Sequence, residues 1–189
     1  MEKNKNLQGL RVAILATDGF EEAELVETRK ALDSAGAQTL LIAPKSGRLQ
    51  AMRHHEKGGP VKVDLTFEQA DPADFDAVLL PGGALNADAL RMNEAAEAFV
   101  KQIDSQHKPI AVICHGPWLL ISAGLTRGRT LTSYFTIQDD IRNSGANWVD
   151  QEVIQDKHWV SSRKPDDIPG FNRKMLAVFG EPKSRAESA

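Results

Sequence analysis

The chain is poor in the residues that announce several large classes of protein. It has one cysteine, Cys114, among 189 residues. A lone cysteine excludes an intramolecular disulfide framework, and no CxxC or paired Cys/His spacing offers a structural zinc site. Such a thiol suits a reducing, cytoplasmic setting. Aromatic residues make up only 6% of the chain, and no basic stripe runs between them. Nothing marks a phosphate-backbone contact surface, so no nucleic-acid partner is expected. Long hydrophobic runs are missing too: Val12 to Ala16 is far too short for a signal or membrane segment. Gly58-Gly59 and Gly82-Gly83 form neither a GxGxxG nor a Walker loop, so no nucleotide cofactor is implied. His54-His55 sit in a polar, glycine-bearing stretch without a nearby ligand cluster, so no metal is expected either.

What is present is an ordinary globular composition, 41% hydrophobic and 26% charged, with a net charge of −3. That suits one domain over 1–189, with 1–9 and 181–189 as loose ends. Apolar runs at Arg11 to Thr17, Gln38 to Ala43, Asp76 to Leu80 and Pro109 to Ile113 read as buried strands. Helical periodicity follows the first of these, with Asp18 to Glu21 spaced as a capping box and Gly36 as a stop. Glu94 to Ser105, Trp118 to Ala123, Thr136 to Asn143 and Asp166 to Phe179 read as further helices. Short strands are predicted at Thr130 to Ser133, Glu152 to Ile154 and Trp159 to Ser161, and Lys45 to Pro60 as a hairpin or a loop. Strands alternating with helices predict an α/β three-layer sandwich around a mostly parallel sheet.

In such sheets functional groups gather at the carboxyl ends of strands. Three polar turns lie there: Asp18 to Glu24, Pro81 to Gly83, and Cys114 to Pro117. The third delivers a cysteine from an apolar strand straight into His-Gly-Pro and a helix, the layout of a nucleophile elbow. Backbone N–H groups at such a turn are expected to depress the thiol pKa. Paired with the N–H of Gly83, they would also form an oxyanion hole. A free cysteine is more often a small buried hydrophobe, but this context favours chemistry. Glu21 and Glu24 are three apart and share a helix face. Glu22 between them is expected to be solvated, as are His107 and His158 beside strand starts.

These residues also carry a resemblance. Ala111-Val-Ile-Cys-His-Gly-Pro-Trp-Leu-Leu-Ile-Ser-Ala-Gly124 resembles the signature segment of the PfpI-like branch of the ThiJ/PfpI superfamily. That superfamily includes the Parkinson-disease-associated deglycase and has a class I glutamine-amidotransferase-like, flavodoxin-like fold. Asp18 to Leu25, Phe75 to Gly83, Arg127 to Arg129, Thr132 to Tyr134 and Trp159 to Arg163 resemble further family segments in the same order. The resemblance implies a nucleophilic or oxidisable thiol at Cys114 and a hydrogen-bonding acid at Glu24, with Glu21 as a second acid of the pocket. A carboxyl beside a thiolate works best protonated, so the Glu24 pKa is expected to be raised. His115 would serve through its backbone N–H or, as in the family's peptidases, through its ring. In those peptidases the third member of the triad is an acid from a neighbouring subunit, and counting back from Leu90-Arg91 places it at Asp88. The loop here is one residue longer than the family pattern, and neighbouring side chains on a sharp turn rarely meet. Tyr134 falls where other branches carry a histidine near the thiol.

The function implied is stress-protective, cysteine-dependent chemistry on reactive carbonyls: hydration of a small aldehyde to lactate, or release of adducts from glycated protein groups. Two alternatives stand beside it, an intracellular cysteine peptidase and a redox sensor or chaperone that uses oxidation of Cys114. The resemblance implies a homo-oligomer, a dimer or larger, and none of these readings needs a cofactor.

Overall fold

The computed structural model describes residues 6–181. Its strands are β1 (Arg11–Leu15), β2 (Phe20–Glu21), β3 (Gln38–Ala43), β4 (Arg48–Arg53), β5 (Glu56–Lys62), β6 (Leu65–Thr66), β7 (Ala77–Leu80), β8 (Ile110–Ile113), β9 (Thr130–Leu131), β10 (Asn147–Trp148), β11 (Val153–Asp156) and β12 (Trp159–Ser162). Its α-helices are α1 (Glu22–Ser34), α2 (Ala84–Arg91), α3 (Glu94–Ser105), α4 (Pro117–Ser122), α5 (Gln138–Asn143) and α6 (Ile168–Phe179). Seven strands form the central sheet in the order β11-β12-β8-β7-β1-β3-β6. Every pairing in it is parallel except β11 with β12.

Strand periodicity assigns the two faces of this sheet. Val12 and Ile14 of β1 point to one side, with Leu25 and Leu32 of α1 and Phe171, Met175 and Val178 of α6. Ala13 and Leu15 point to the other, with Phe99, Val100 and Ile103 of α3 and Leu119 and Leu120 of α4. Both faces are covered, which is why the strands read as continuous apolar runs rather than alternating ones. Each fully buried leucine or phenylalanine here contributes roughly 1.5–3 kcal/mol. Ile14→Ala would leave a cavity between β1 and α1.

Several sequence expectations need correction. The capping box does not form: α1 starts at Glu22, and its cap residue Glu21 makes no side-chain capping bond. Asp18 instead accepts hydrogen bonds from Lys45 Nζ and the Gln50 N–H, because a short strand separates it from the helix. The 45–60 stretch resolves into the β4–β5 hairpin. Helix α2 was not anticipated. Strand β9 belongs to a separate two-stranded sheet with β10. Of the expected loose ends, 1–5 and 182–189 lie outside the described residues, while Leu7 is fully buried and its N–H bonds the Ala35 carbonyl at 2.8 Å.

Candidate active site

Chain order reverses its direction across the sheet at β1: β3 and β6 lie to one side, β7, β8 and β12 to the other. The crevice at such a switch point is where open α/β sheets hold their ligands. The carboxyl ends of β1, β7 and β8 lead into the three polar turns of interest.

From β8 the chain enters Cys114 at φ +62°, a left-handed conformation rare outside glycine. The turn is pinned on both sides. The Cys114 N–H donates to the Ser162 carbonyl at 3.1 Å, and its carbonyl accepts the Tyr134 N–H at 2.9 Å. Gly116 is required because a Cβ there would press on the Leu80 and Ile113 carbonyls. Cys114 itself is 7% exposed. From β7 the chain runs into Gly82, where a Cβ would lie 2.5 Å from both the Cys114 Cβ and Glu24 Oε2. Only a residue without a side chain fits beside both the acid and the thiol.

Glu24 is completely buried. Its Oε2 accepts the Gly82 N–H at 2.8 Å, and its carboxyl lies against the Cys114 thiol. Its Oε1 is buried without an N–H or O–H donor among the described residues. Burial pushes the Glu24 pKa up to about 8, so the carboxyl is mostly protonated at neutral pH, as the sequence led one to expect.

The thiol departs from expectation. Burial holds the Cys114 pKa well above its usual value, and the Glu24 charge pushes it further in the same direction. The N–H groups of Gly83 and His115 do point at the sulfur and favour the thiolate, but they are outweighed. A thiol in this setting needs a base. His115 supplies one geometrically: its Nδ1 lies 3.1 Å from Sγ. Adjacent side chains meet here because the left-handed turn at Cys114 folds the next residue back over it. Burial lowers the His115 pKa, which keeps the ring neutral and able to accept a proton.

The ring is held by its neighbours. Tyr134 stacks on it at 5.0 Å between centroids, Trp118 meets it edge-on at 5.4 Å, and Thr136 Oγ1 lies 3.3 Å from Nε2. Tyr134 is thus brought into the site, and Thr136 is a neighbour that sequence reasoning assigned only to a helix start. Asp88 is exposed on α2, and its side chain makes no hydrogen bond or ion pair among the described residues; the triad reading would bring it to the site of a neighbouring copy. Glu21 is at the site's edge. Its charge helps raise Glu24, while its Oε2 accepts the His54 N–H at 3.0 Å. Glu22 is not a solvated residue. Its carboxylate binds Arg53 Nη2 at 2.8 Å and the Gly59 N–H at 2.6 Å, fastening the β4–β5 hairpin across the start of α1.

No cluster of metal-ligating side chains occurs among the described residues, and none of their helices is long and apolar enough to cross a membrane. A family profile described as DJ-1/PfpI matches residues 10–178. The chain belongs to the DJ-1/PfpI family. A Thermococcus kodakarensis relative named as a deglycase is 41% identical over 90% of this chain and 99% of its own length. General stress protein 18 of Bacillus subtilis is 40% identical over 90% of this chain and 98% of its own. A second Bacillus subtilis relative, provisionally named a cysteine protease, is 39% identical over 89% and 98%. Among solved structures, Drosophila melanogaster DJ-1beta superposes with a TM-score of 0.82 at 25% identity, covering 92% of each chain. DJ-1/PfpI membership and the α/β sandwich thus agree with the reading of the sequence.

Proposed function

We propose that this DJ-1/PfpI protein is a cysteine-dependent enzyme acting on small reactive carbonyls or on the adducts they form with protein groups. The observation that carries the reading is the placement of Glu24. A completely buried, largely protonated carboxyl abuts the same sulfur that faces a neutral imidazole at 3.1 Å. With methylglyoxal, the Cys114 S–H proton passes to His115 Nδ1, and the sulfur lone pair attacks the aldehyde carbon. The N–H groups of Gly83 and His115, which point at the sulfur, hold the oxyanion that forms beside it, and Glu24 protonates it to a hemithioacetal. The Glu24 carboxylate then takes the C1 proton and delivers it to C2, His115 returns its proton to the C2 oxygen, and the C1 hydroxyl gives its proton back to Glu24 as the C1 carbonyl forms. A lactoyl thioester results, and water releases lactate and the thiol. The deglycase name of a relative at 41% identity supports this class of substrate, and the name of another supports a role in stress.

The contact between Cys114 and His115 favours one second reading, a cysteine peptidase, which the name of a third relative also supports. The raised thiol pKa argues against a freely oxidised sensor. Lactate formation followed by NMR in wild type, Cys114→Ser and Glu24→Gln tests the proposal. Lactate from wild type and from neither variant supports it. Absence of lactate together with cleavage of peptide substrates by wild type and Glu24→Gln would transfer the site to the peptidase reading.

A further inference from the structure

The imidazole of His115 can serve as a base toward Cys114 only if Nδ1 is unprotonated and the ring does not turn away. Neither condition is met by the elbow alone. Neutral histidine places its one proton on either nitrogen, and the hydrogen bond at the far nitrogen decides which. Burial is the cause of the lowered His115 pKa, with no carboxylate among the described residues bearing on it. The aromatic faces of Tyr134 and Trp118 restrict the ring but select no tautomer. The polar group at the far nitrogen is the Thr136 hydroxyl, 3.3 Å from Nε2.

We propose that Thr136 is the positioning residue for His115: its Oγ1 accepts the Nε2 proton, leaving Nδ1 bare and aimed at the Cys114 sulfur. The placement of Thr136 is built into the fold. Two residues before it, the Tyr134 N–H is bonded to the carbonyl of Cys114 itself. One residue after it, Ile137 is buried at 1% exposure, and its N–H bonds the Tyr134 carbonyl at 3.2 Å. The hydroxyl is thus tethered to the turn that carries the nucleophile, and threonine's stiff χ1 limits its wandering. The bond serves both protonation states. When the S–H bond breaks and its proton forms the Nδ1–H bond, the ring becomes an imidazolium. The Nε2–H keeps the same acceptor, now in a stronger, charge-assisted bond. A hydroxyl suits this role because it orients the ring without pinning the proton there, as a carboxylate would by raising the imidazole pKa.

This inference rests on the His115 base of the proposed function, yet two of its readouts need no substrate turnover. Imidazole 15N shifts of His115 report the tautomer, and iodoacetamide alkylation at pH 7 reports thiol activation. Both are measured on the full chain for wild type, Thr136→Val, Thr136→Ser and Asp88→Ala. The expected result is an Nε2-protonated ring in wild type and in Thr136→Ser. Thr136→Val should show a mixed tautomer and alkylation slowed about tenfold, with Asp88→Ala unchanged. Lactate turnover in Thr136→Val should fall in kcat with KM held. The same losses in Thr136→Ser as in Thr136→Val would overturn the proposal, as would a tautomer unchanged in Thr136→Val. A tautomer shift in Asp88→Ala instead would hand the role to an acid from a second copy of the chain. If wild type forms no lactate while the tautomer and alkylation results stand, the carbonyl reading fails and the positioning role survives.

Discussion

The two ends of the central sheet hold similar ingredients and treat them in opposite ways. At the carboxyl end, Glu24, Cys114 and His115 meet. At the amino end, Asp104 at the end of α3 meets His158 and Trp159 of the β12 entry and Arg129 before β9. There one carboxylate oxygen accepts from Arg129 Nη2 at 3.0 Å and from His158 Nε2 and Trp159 Nε1, each at 2.8 Å. The Arg129 guanidinium also lies 4.2 Å over the Trp159 ring. These donors overcome burial, and the Asp104 pKa is lowered. Glu24 has one N–H donor and a thiol, and its pKa rises to about 8. A buried acid supplied with donors ties elements together, and one deprived of them is available to exchange a proton.

The sharpest break of this contrast is in turnover. Glu24→Gln should lower lactate formation about a thousandfold, whereas Asp104→Asn should leave it within about twofold, because Asp104 lies at the other end of the sheet. Stability should then separate the two acids by pH. Above the ordinary carboxyl value of 4.5 the unfolded chain ionises at Glu24 while the folded chain keeps the proton up to about 8. Wild type therefore loses stability as pH rises through that window, by up to about 5 kcal/mol. In urea titrations Glu24→Gln should show a flatter profile across it. Asp104 has the reverse sign: its contribution is present above the unfolded carboxyl pKa and is lost as pH falls through the lowered folded one. Removing it with Asp104→Ala leaves Arg129 partly buried without its acid and should cost about 3 kcal/mol. A melting temperature roughly 10 °C lower would register that loss. The smallest effect belongs to the hairpin clasp. Glu22→Gln should leave the melting temperature unchanged yet speed amide exchange over 48–62, as measured by mass spectrometry.

The contrast also explains what could be read from the chain in advance. The strand-Cys114-His115-Gly116-Pro117 sequence announced its turn because Gly116 allows the close backbone approach and Pro117 suits the first helical position. The resemblance put Glu24 beside the thiol and charge repulsion then implied a raised pKa, although burial is its largest cause. The Cys114 pKa was misjudged because burial is set by packing from β7 and α1, which no local pattern reports. The reach of His115 depended on a left-handed residue that a non-glycine sequence does not advertise. His158 looked exposed beside its strand, yet its side chain is 16% accessible and bonded to an acid fifty-four residues earlier. Thr136 was invisible for the same reason, since a backbone bond between distant segments brings it to the ring. Helix α2 escaped notice because Pro81-Gly82-Gly83 reads as a terminator, while Gly83 here serves as its cap at φ +90°.

Three of the donors around Glu24 and Cys114 are main-chain amides, those of Gly82, Gly83 and His115. Side-chain truncation cannot delete them, so an alanine scan would report the His115 ring and miss the amide beneath it. At Gly82 and Gly83 the same scan would do the opposite, adding a methyl where backbone and the acid already sit. The scan's heaviest losses around the thiol would then include two positions with no side chain at all. Variant surveys of this protein would rank as intolerant two residues that contribute only a main-chain N–H and the space they leave empty.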